Sequence, residues 1–336
     1  MYITETLYWL YKPMRRKFLF DTSRELNKLY HKPRILIMLD MIYCSLFYGA
    51  MFTEYGDLGF YHRTHRNRRT YLTTFYNFDL YNKVNDKNSR NLFHDKLLFL
   101  NRFSRYIKRK WFNLDTCSDD DIIHFLDGIK TVVFKASYGD SGKEVEVVDI
   151  PNNCTAQYVR EKAKKNHFNL IEECVTNHPD IAIFNHDSLN TLRIVSMRKG
   201  NLVKILFAGL RVGAKGARID NISQGGSVAR VDIETGRINS GFYTKASSGV
   251  STSNNSCPSA IGKTIPYWTE CLELVRNMAL EVSNIRFIAW DVAVLPPPVG
   301  PEVIEANESF GSVIMLLYNT YDEEGLKPIV ENFFRE

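Results

Sequence analysis

The chain has 336 residues, enough to bury a sizeable core and to divide into two or three lobes. With 44% hydrophobic and 24% charged residues, 11 Pro and 19 Gly, its composition excludes a disordered or fibrous protein. A net charge of +5 is too modest to imply nucleic acid, and no aromatic-basic motif of the RNA-binding kind occurs.

Residues 1–90 lack glycine-rich loops and read as mainly helical, with Tyr, Leu and Phe at helical spacings. Much of the basic excess lies here, in Lys12, Arg15, Arg16 and Lys17 and then in His62, Arg63, His65, Arg66, Arg68 and Arg69. Such a set is either a solvated face or a surface attracted to anionic lipid, a phosphorylated carrier or an acidic polymer. The run Ile35–Phe52 comes nearest to a membrane span, but it contains Asp40 and Ser45 and falls short of the ~20 apolar residues a spanning helix needs. It is expected to be a buried core helix. No secretory leader is expected, because Arg15–Lys17 follows an aromatic stretch instead of preceding an apolar one. The six cysteines form no CxxC pair, which disfavours a zinc knuckle or a disulfide framework and points to a reducing cytoplasm.

Beyond residue 90 the texture changes. A helix is expected to start near Asp95 and run toward Ile107, and another spans Asp119–Leu126 with its acids in the first turn, where the helix dipole favours them. Strands follow at Thr131–Ala136 and Glu144–Val148, flanking the loop Ser137-Tyr-Gly-Asp-Ser-Gly-Lys143, whose two glycines suit a mobile hairpin tip. Residues 155–165 read as a helix and 168–175 as a strand. Further strands are expected at 191–198, 201–212, 226–233, 285–294 and 302–307, with a one-faced helix over Pro266–Val282. Strand pairs with helices packed on them make an α+β protein.

The sharpest chemistry lies in IAWDVAV and, after a proline-rich turn, EVIEANES. Side chains alternate along a strand, so Glu305 and Asn307 share one face, and Asp291 opposite would complete a cluster of hard oxygen ligands suited to Mg²⁺. The alternative is two strands with polar outer faces. Lys135 sits within an apolar strand directly before the glycine loop, where backbone N–H groups can cradle phosphate and the ammonium adds a point charge. The loop has no Walker ending, and many hairpins look alike. Lys96, beside the helix start at Asp95, is a second possible cation. Arg193 and Arg211 lie within apolar strands and require an anionic partner, either a transferring phosphoryl group or an internal acid. Lys215, flanked by glycines, is free to close on phosphate or to remain solvated. His178 and His186 lack a serine elbow, which disfavours a hydrolase.

Taken in order, Asp95-Lys96, Lys135 with its glycine loop, IEECV, Arg211 and Asp291…Glu305-x-Asn307 resemble the ATP-grasp superfamily. SLNTLRIV, RVGAKGARIDNISQGG, IPYW and WDVAV…VIEANES look like its sugar-transfer-associated branch. The resemblance implies an ATP-grasp fold, with two α+β subdomains sandwiching ATP and a mainly helical N-terminal region. It divides the chain into residues 1–90, for acceptor or partner recognition, residues 91–180, with lid and adenine hinge, and residues 181–336, with metal and acceptor sites. It implies ATP as cofactor, with Lys96 and Lys135 on the phosphates and Ser137, Gly139, Ser141 and Gly142 in the lid. Glu172, Glu173, Cys174 and Val175 would form the adenine hinge, and His178 or Asp180 would hold the ribose.

Asp291, Glu305 and Asn307 would hold two Mg²⁺, Arg211 with Arg193 would stabilise the transferring phosphoryl group, and Asn190 and residues 220–226 would face the acceptor. The implied activity is an ATP-dependent carboxylate–amine ligase acting through an acyl phosphate. Its substrates would be a sugar acid or sugar-linked amino acid of bacterial surface polysaccharide and an amine. A kinase acting on a hydroxyl and a non-catalytic nucleotide-binding scaffold are the alternatives. A glycosyltransferase or the inner membrane face is the implied place of association for a cytoplasmic protein. Two departures stand out. Cys257-Pro258 replaces the branch's His-Pro, and Asp140 puts an acid in the phosphate lid.

Overall fold

The computed structural model describes residues 1–139, 145–244, 252–253, 259–308 and 324–335. Its N-terminal region is helical, with α1 (Ile3–Tyr11), α2 (Pro13–Tyr30), α3 (Arg34–Tyr48), α4 (Phe52–Asp57), α5 (His65–Arg68), α6 (Thr74–Val84), α7 (Asn91–His94) and α8 (Lys96–Arg102). Next come β1 (Trp111–Asn113), α9 (Asp119–Leu126), β2 (Thr131–Lys135), β3 (Val145–Asp149), α10 (Ala156–Asn166), β4 (Leu170–Glu173) and α11 (Pro179–Ala182). The remainder is β5 (Thr191–Lys199), β6 (Leu202–Val212), β7 (Ser227–Arg230), β8 (Tyr243–Thr244), β9 (Thr252–Ser253), α12 (Trp268–Leu280), β10 (Phe287–Val294), β11 (Pro301–Asn307) and α13 (Lys327–Arg335).

Local chemistry accounts for several boundaries. Asp95 caps α8 by accepting from the N–H groups of Leu97 (2.9 Å) and Leu98 (3.3 Å). Ser118 and Asp121 form a reciprocal capping box at the start of α9. The helix expected from Asp95 stops at Arg102 and gives way to a 3-10 turn over Ser104–Tyr106.

Two antiparallel sheets result. The small one has the order β1-β4-β2-β3, and the large one β11-β10-β5-β6-β7-β8-β9. Helices α9 and α10 cover the small sheet through Ile122, Phe125, Val159 and Ala163, which pack on Val132, Phe134 and Ile171. The large sheet is covered on both faces. Its Ile194, Leu210, Ile288, Trp290 and Val292 pack beneath α12 through Cys271, Val275 and Met278. The opposite face meets the N-terminal helices through Val195, Met197, Phe207, Phe287 and Ala289, which pack with Leu26, Met41 and Phe60. This is the expected α+β arrangement of two sheets with a helical N-terminal region.

One expectation is corrected. The run Ile35–Phe52 is not a buried core helix: α3 ends at Tyr48, where Gly49 takes a left-handed φ of 71°, and only one side of it is buried. Ile37, Met41 and Cys44 face the core, whereas Ile35, Leu36, Leu39 and Phe47 are exposed. Apolar density along a helix does not say how much of its circumference the rest of the chain covers.

Candidate active site

The face of the large sheet that carries Val195 and Ala289 beneath the N-terminal helices becomes charged further along. Glu305, Asp291 and Arg193 are direct cross-strand partners on β11, β10 and β5, so their side chains form one row. Arg211 joins it from β6, where it pairs with Thr191. Asp291 is almost fully buried. Its Oδ2 accepts from Arg193 Nη2 (3.1 Å) and Arg211 Nη1 (3.3 Å). Arg211 Nη2 also donates to Asp220 Oδ1 at 2.6 Å, and Asp220 Oδ2 accepts from the Thr191 N–H (2.9 Å) and hydroxyl (2.5 Å). Two acids therefore hold one guanidinium, and Arg211 stays charged because they outweigh the cost of its burial.

The two neighbouring carboxylates are not equivalent. Burial pushes Asp291 up to about 7 despite the two arginines, with the charge of Glu305 adding to the rise. Glu305 is held below its ordinary range, since a hydrogen bond from Asp291 and the charges of Lys135, Arg211 and Arg193 outweigh its burial. Asp291 Oδ1 lies 2.6 Å from Arg193 Nε, yet neither atom has a directed hydrogen bond. A hard cation between Asp291 and Glu305 would give that oxygen a directed partner. Among the described residues no three His, Cys, Asp or Glu side chains gather into a cage. The donor set is thus two carboxylates with the Asn307 amide two residues along β11. That fits Mg²⁺, which commonly binds one or two carboxylates and completes its shell with phosphate and water.

The small sheet supplies the opposing charge. Lys135, at the end of β2, places Nζ 2.5 Å from Glu172 Oε2 on β4. Glu172 is also paired with Arg109 Nη2 at 3.3 Å, and Arg109 reaches into the large sheet. There it donates to Glu302 Oε1 (2.6 Å), to the Val303 carbonyl (3.1 Å) and to the Ile304 carbonyl (3.1 Å). One buried guanidinium therefore clasps β11 immediately before Glu305 and ties it to the strand that pairs Lys135. Burial alone would raise Glu172, but Arg109 and Lys135 outweigh it and hold its carboxyl at about 2 instead of 4.5. The folded state favours this carboxylate, so the stability it contributes is fully present above about pH 4.5 and is lost as pH falls toward 2. Glu172→Gln is expected to remove on the order of 3 kcal/mol from the acid limb of a denaturant-midpoint-versus-pH curve. An unchanged limb would show that the pair contributes nothing to folding.

Lys96 donates from Nζ to the Gly139 carbonyl at 2.9 Å, and its N–H reaches the Ser137 carbonyl at 2.9 Å, which holds it against the entry to the lid. Asn169 fixes the same point, accepting from the Ser137 N–H (2.7 Å) and donating to its hydroxyl (3.0 Å). Ser141 and Gly142 lie outside the described residues, as do Asp140 and Cys257-Pro258. Glu173 binds the Lys110 N–H at 3.1 Å, while Cys174 and Val175 are half-buried where the chain leaves β4. His178 caps α11, accepting from the Asp180 N–H at 3.2 Å, and the Asp180 side chain is exposed.

Asn190 is buried, with its amide bonded to the carbonyls of Ile181 (3.2 Å) and Asn185 (2.9 Å), so it braces the loop ahead of β5. Lys215 is exposed in the loop after β6. The same loop reaches the small sheet through Arg218, which pairs with Asp149 at 3.0 Å. The structure thus brings Lys135, Arg193, Arg211, Asp291 and Glu305 into one charged region, with Asn307 beside it and Lys96 at the lid.

Sequence reasoning missed Arg109, Glu302 and Asn169, and it placed Asp220 only in an acceptor loop. Arg109 stands in Lys108-Arg109-Lys110, a run with the composition of a solvated face. Glu302 is opposite in parity to Glu305 along the strand, a signal that could have placed it against a different partner.

A family model described as sugar-transfer associated ATP-grasp matches residues 67–334. No curated protein matches the chain. Among solved structures, the D-alanine-D-alanine ligase of Coxiella burnetii matches at 10% identity and a TM-score of 0.39, covering 67% of this chain and 49% of that one. N5-carboxyaminoimidazole ribonucleotide synthetase in its ADP complex matches at 10% identity and 0.40, over 70% and 55% of the two chains. D-cycloserine synthetase matches at 10% and 0.42, over 75% and 73%. The chain spans about half the length of the first of these structures. The family match covers most of the chain, including both sheets and the charged row on the large one: the chain belongs to the sugar-transfer associated ATP-grasp family.

Proposed function

We propose that the protein is an ATP-dependent ligase that joins a carboxylate to an amine through an acyl phosphate, with Mg²⁺ at Asp291, Glu305 and Asn307. The observation that carries this reading is the row Glu305–Asp291–Arg193 with Arg211, set within the electrostatic reach of Lys135. Two acids suited to a metal stand beside two cations suited to phosphate there, and among the described residues no nucleophile and base of hydrolase type accompany them. When bound, Mg-ATP supplies the phosphoryl group that makes a carboxylate electrophilic, and an amine then displaces phosphate.

The chain's own residues position and neutralise. Lys135 and Lys96 take the phosphates, and the hinge from Glu172 to Val175 takes the adenine, with His178 or Asp180 at the ribose. Asp220 aims Arg211 at the charge that builds on the transferring group, and Arg193 offsets the charge of Asp291. Lys215 can close over the site from its exposed loop. The acid is proposed to be a sugar acid or sugar-linked amino acid of a bacterial surface polysaccharide, on the strength of the family's association with sugar transfer.

The test is ADP and phosphate release from Mg-ATP with pools of uronic acids, amino acids and amines. Release that needs both an acid and an amine is the expected result. ADP without free phosphate in the presence of a hydroxyl acceptor would replace the ligase with a kinase, and ATP binding without turnover in any pool would replace it with a scaffold. Lys135→Ala is expected to raise the apparent ATP KM about 10- to 100-fold, the worth of one hydrogen bond to a charged group. Unchanged ATP kinetics would remove Lys135 from the phosphate site.

A further inference from the structure

The segment ahead of the family match has a surface that the proposed reaction does not use. Among the described residues, thirteen exposed large apolar side chains fall within residues 1–47, and only eleven are spread over the rest. On α3, Ile35, Leu36, Leu39 and Phe47 are exposed, the half-buried Tyr43 stacks on Phe47 between them, and the stripe runs about 18 Å along the helix. On α1, Ile3, Leu7 and Tyr11 are exposed at intervals of four, and Met14 continues the exposed apolar surface at the start of α2. The two helices are neighbours: the Tyr2 N–H donates to the Leu46 carbonyl (2.8 Å), and Thr6 Oγ1 meets Ser45 Oγ at 2.9 Å. Exposed apolar surface this concentrated calls for a cover, since scattered single residues are normal but contiguous stripes are not.

The charges around the stripes indicate which cover. Residues 1–50 carry eight Lys and Arg against four Asp and Glu. Of the four acids, Asp40 is held by Arg68 at 2.7 Å, Glu25 pairs with Lys28 at 3.0 Å, Asp21 lies 3.6 Å from Arg24, and Glu5 is exposed on α1. Lys12, Arg16 and Lys17 are exposed at the α1–α2 junction, directly beside Tyr11 and Met14. Arg15 lies over the rings of Tyr8 and Trp9, each 4.8 Å from the centroid, so aromatic and basic groups are interleaved at the same junction. Apolar and aromatic side chains flanked by lysine and arginine suit the boundary of an anionic bilayer, where the rings and aliphatic groups enter the headgroup layer and the cations stay at the phosphates. Among the described residues no helix is long and apolar enough to cross a membrane, so the contact would lie in the surface plane.

We infer that α1, the start of α2 and the outer stripe of α3 dock this protein peripherally on an anionic lipid bilayer. The experiment is cosedimentation of the full chain with vesicles of phosphatidylcholine containing phosphatidylglycerol, and with vesicles of phosphatidylcholine alone. The protein is expected to sediment with the anionic vesicles at low salt and to be released by high salt. Lys12→Gln, Arg16→Gln and Lys17→Gln together are expected to weaken binding by about a hundredfold. Leu36→Ser, Leu39→Ser and Phe47→Ser together are expected to weaken it at least tenfold, with the thermal midpoint retained because all three side chains are exposed. No sedimentation with anionic vesicles, or binding that neither set of substitutions weakens, would overturn the inference. A dimer in light scattering that the Leu36/Leu39/Phe47 set dissociates, without vesicle binding, would assign the face to a second copy of this chain instead.

Discussion

Glu305→Gln is expected to abolish Mg-dependent ATP turnover, with a loss on the order of a thousandfold or more, while leaving the fold intact. Glutamine keeps the volume and one oxygen of the half-buried glutamate but removes the charge that faces Asp291 across β10–β11. The remaining acid, Asp291, is already engaged by Arg193 and Arg211. The variant leaves two carboxylates, Asp291 and Asp220, against two guanidinium groups, so no net negative charge remains on this face for the divalent cation proposed there. Asn307→Ala, two residues further along the same strand face, is expected to act in the same direction. Steady-state ADP release, with circular dichroism and the thermal midpoint as controls for folding, checks both. Full turnover in either variant would remove β11 from the metal site.

The largest loss of stability is expected at Arg109. Its guanidinium is buried between Glu172 and Glu302, whose own side chains are almost wholly inaccessible. Arg109→Met leaves Glu302 without its guanidinium partner and leaves Glu172 with Lys135 alone. Breaking a buried pair in this way costs about 3–5 kcal/mol, most of it the penalty of a stranded charge. Two carbonyls of β11 lose their donor as well, so the strand that carries Glu305 and Asn307 should loosen against the small sheet. Because the penalty belongs to the stranded acids, adding Glu172→Gln and Glu302→Gln to Arg109→Met should recover much of it. Urea midpoints of the single and triple variants measure both effects. A single variant within 1 kcal/mol of the parent, on the order of an ordinary surface change, would show that the clasp is dispensable.

What could be read from the sequence divides along the same physical line. The helix Asp119–Leu126 was legible to the residue because its signal is local, three acids in the first turn where the helix dipole favours them. Arg193 and Arg211 announced themselves as charges inside apolar strands, and the structure gives both an acid to meet. The strands expected at 191–198, 201–212 and 302–307 are present as Thr191–Lys199, Leu202–Val212 and Pro301–Asn307.

Arg109 was not legible, because its burial depends on β4 and β11 closing on it from 63 and 193 residues away. In the sequence its neighbours, Lys108 and Lys110, make it look solvated. Asp220 was read only as part of an acceptor loop, yet it is buried and holds Arg211 and Thr191. The run Ile35–Phe52 misled in the opposite way: its apolar content was visible, and the exposure of half its circumference was not.

The most direct test of the ligase reading is the fate of a carboxylate oxygen. Acids labelled with ¹⁸O in the carboxylate, mixed with amine and Mg-ATP, can be followed by mass spectrometry of the released phosphate. An acyl-phosphate ligase transfers one carboxylate oxygen to phosphate, so the predicted result is phosphate carrying a single ¹⁸O in step with product formation. Phosphate released without label during turnover, or phosphoryl groups retained on a hydroxyl acceptor, would contradict it.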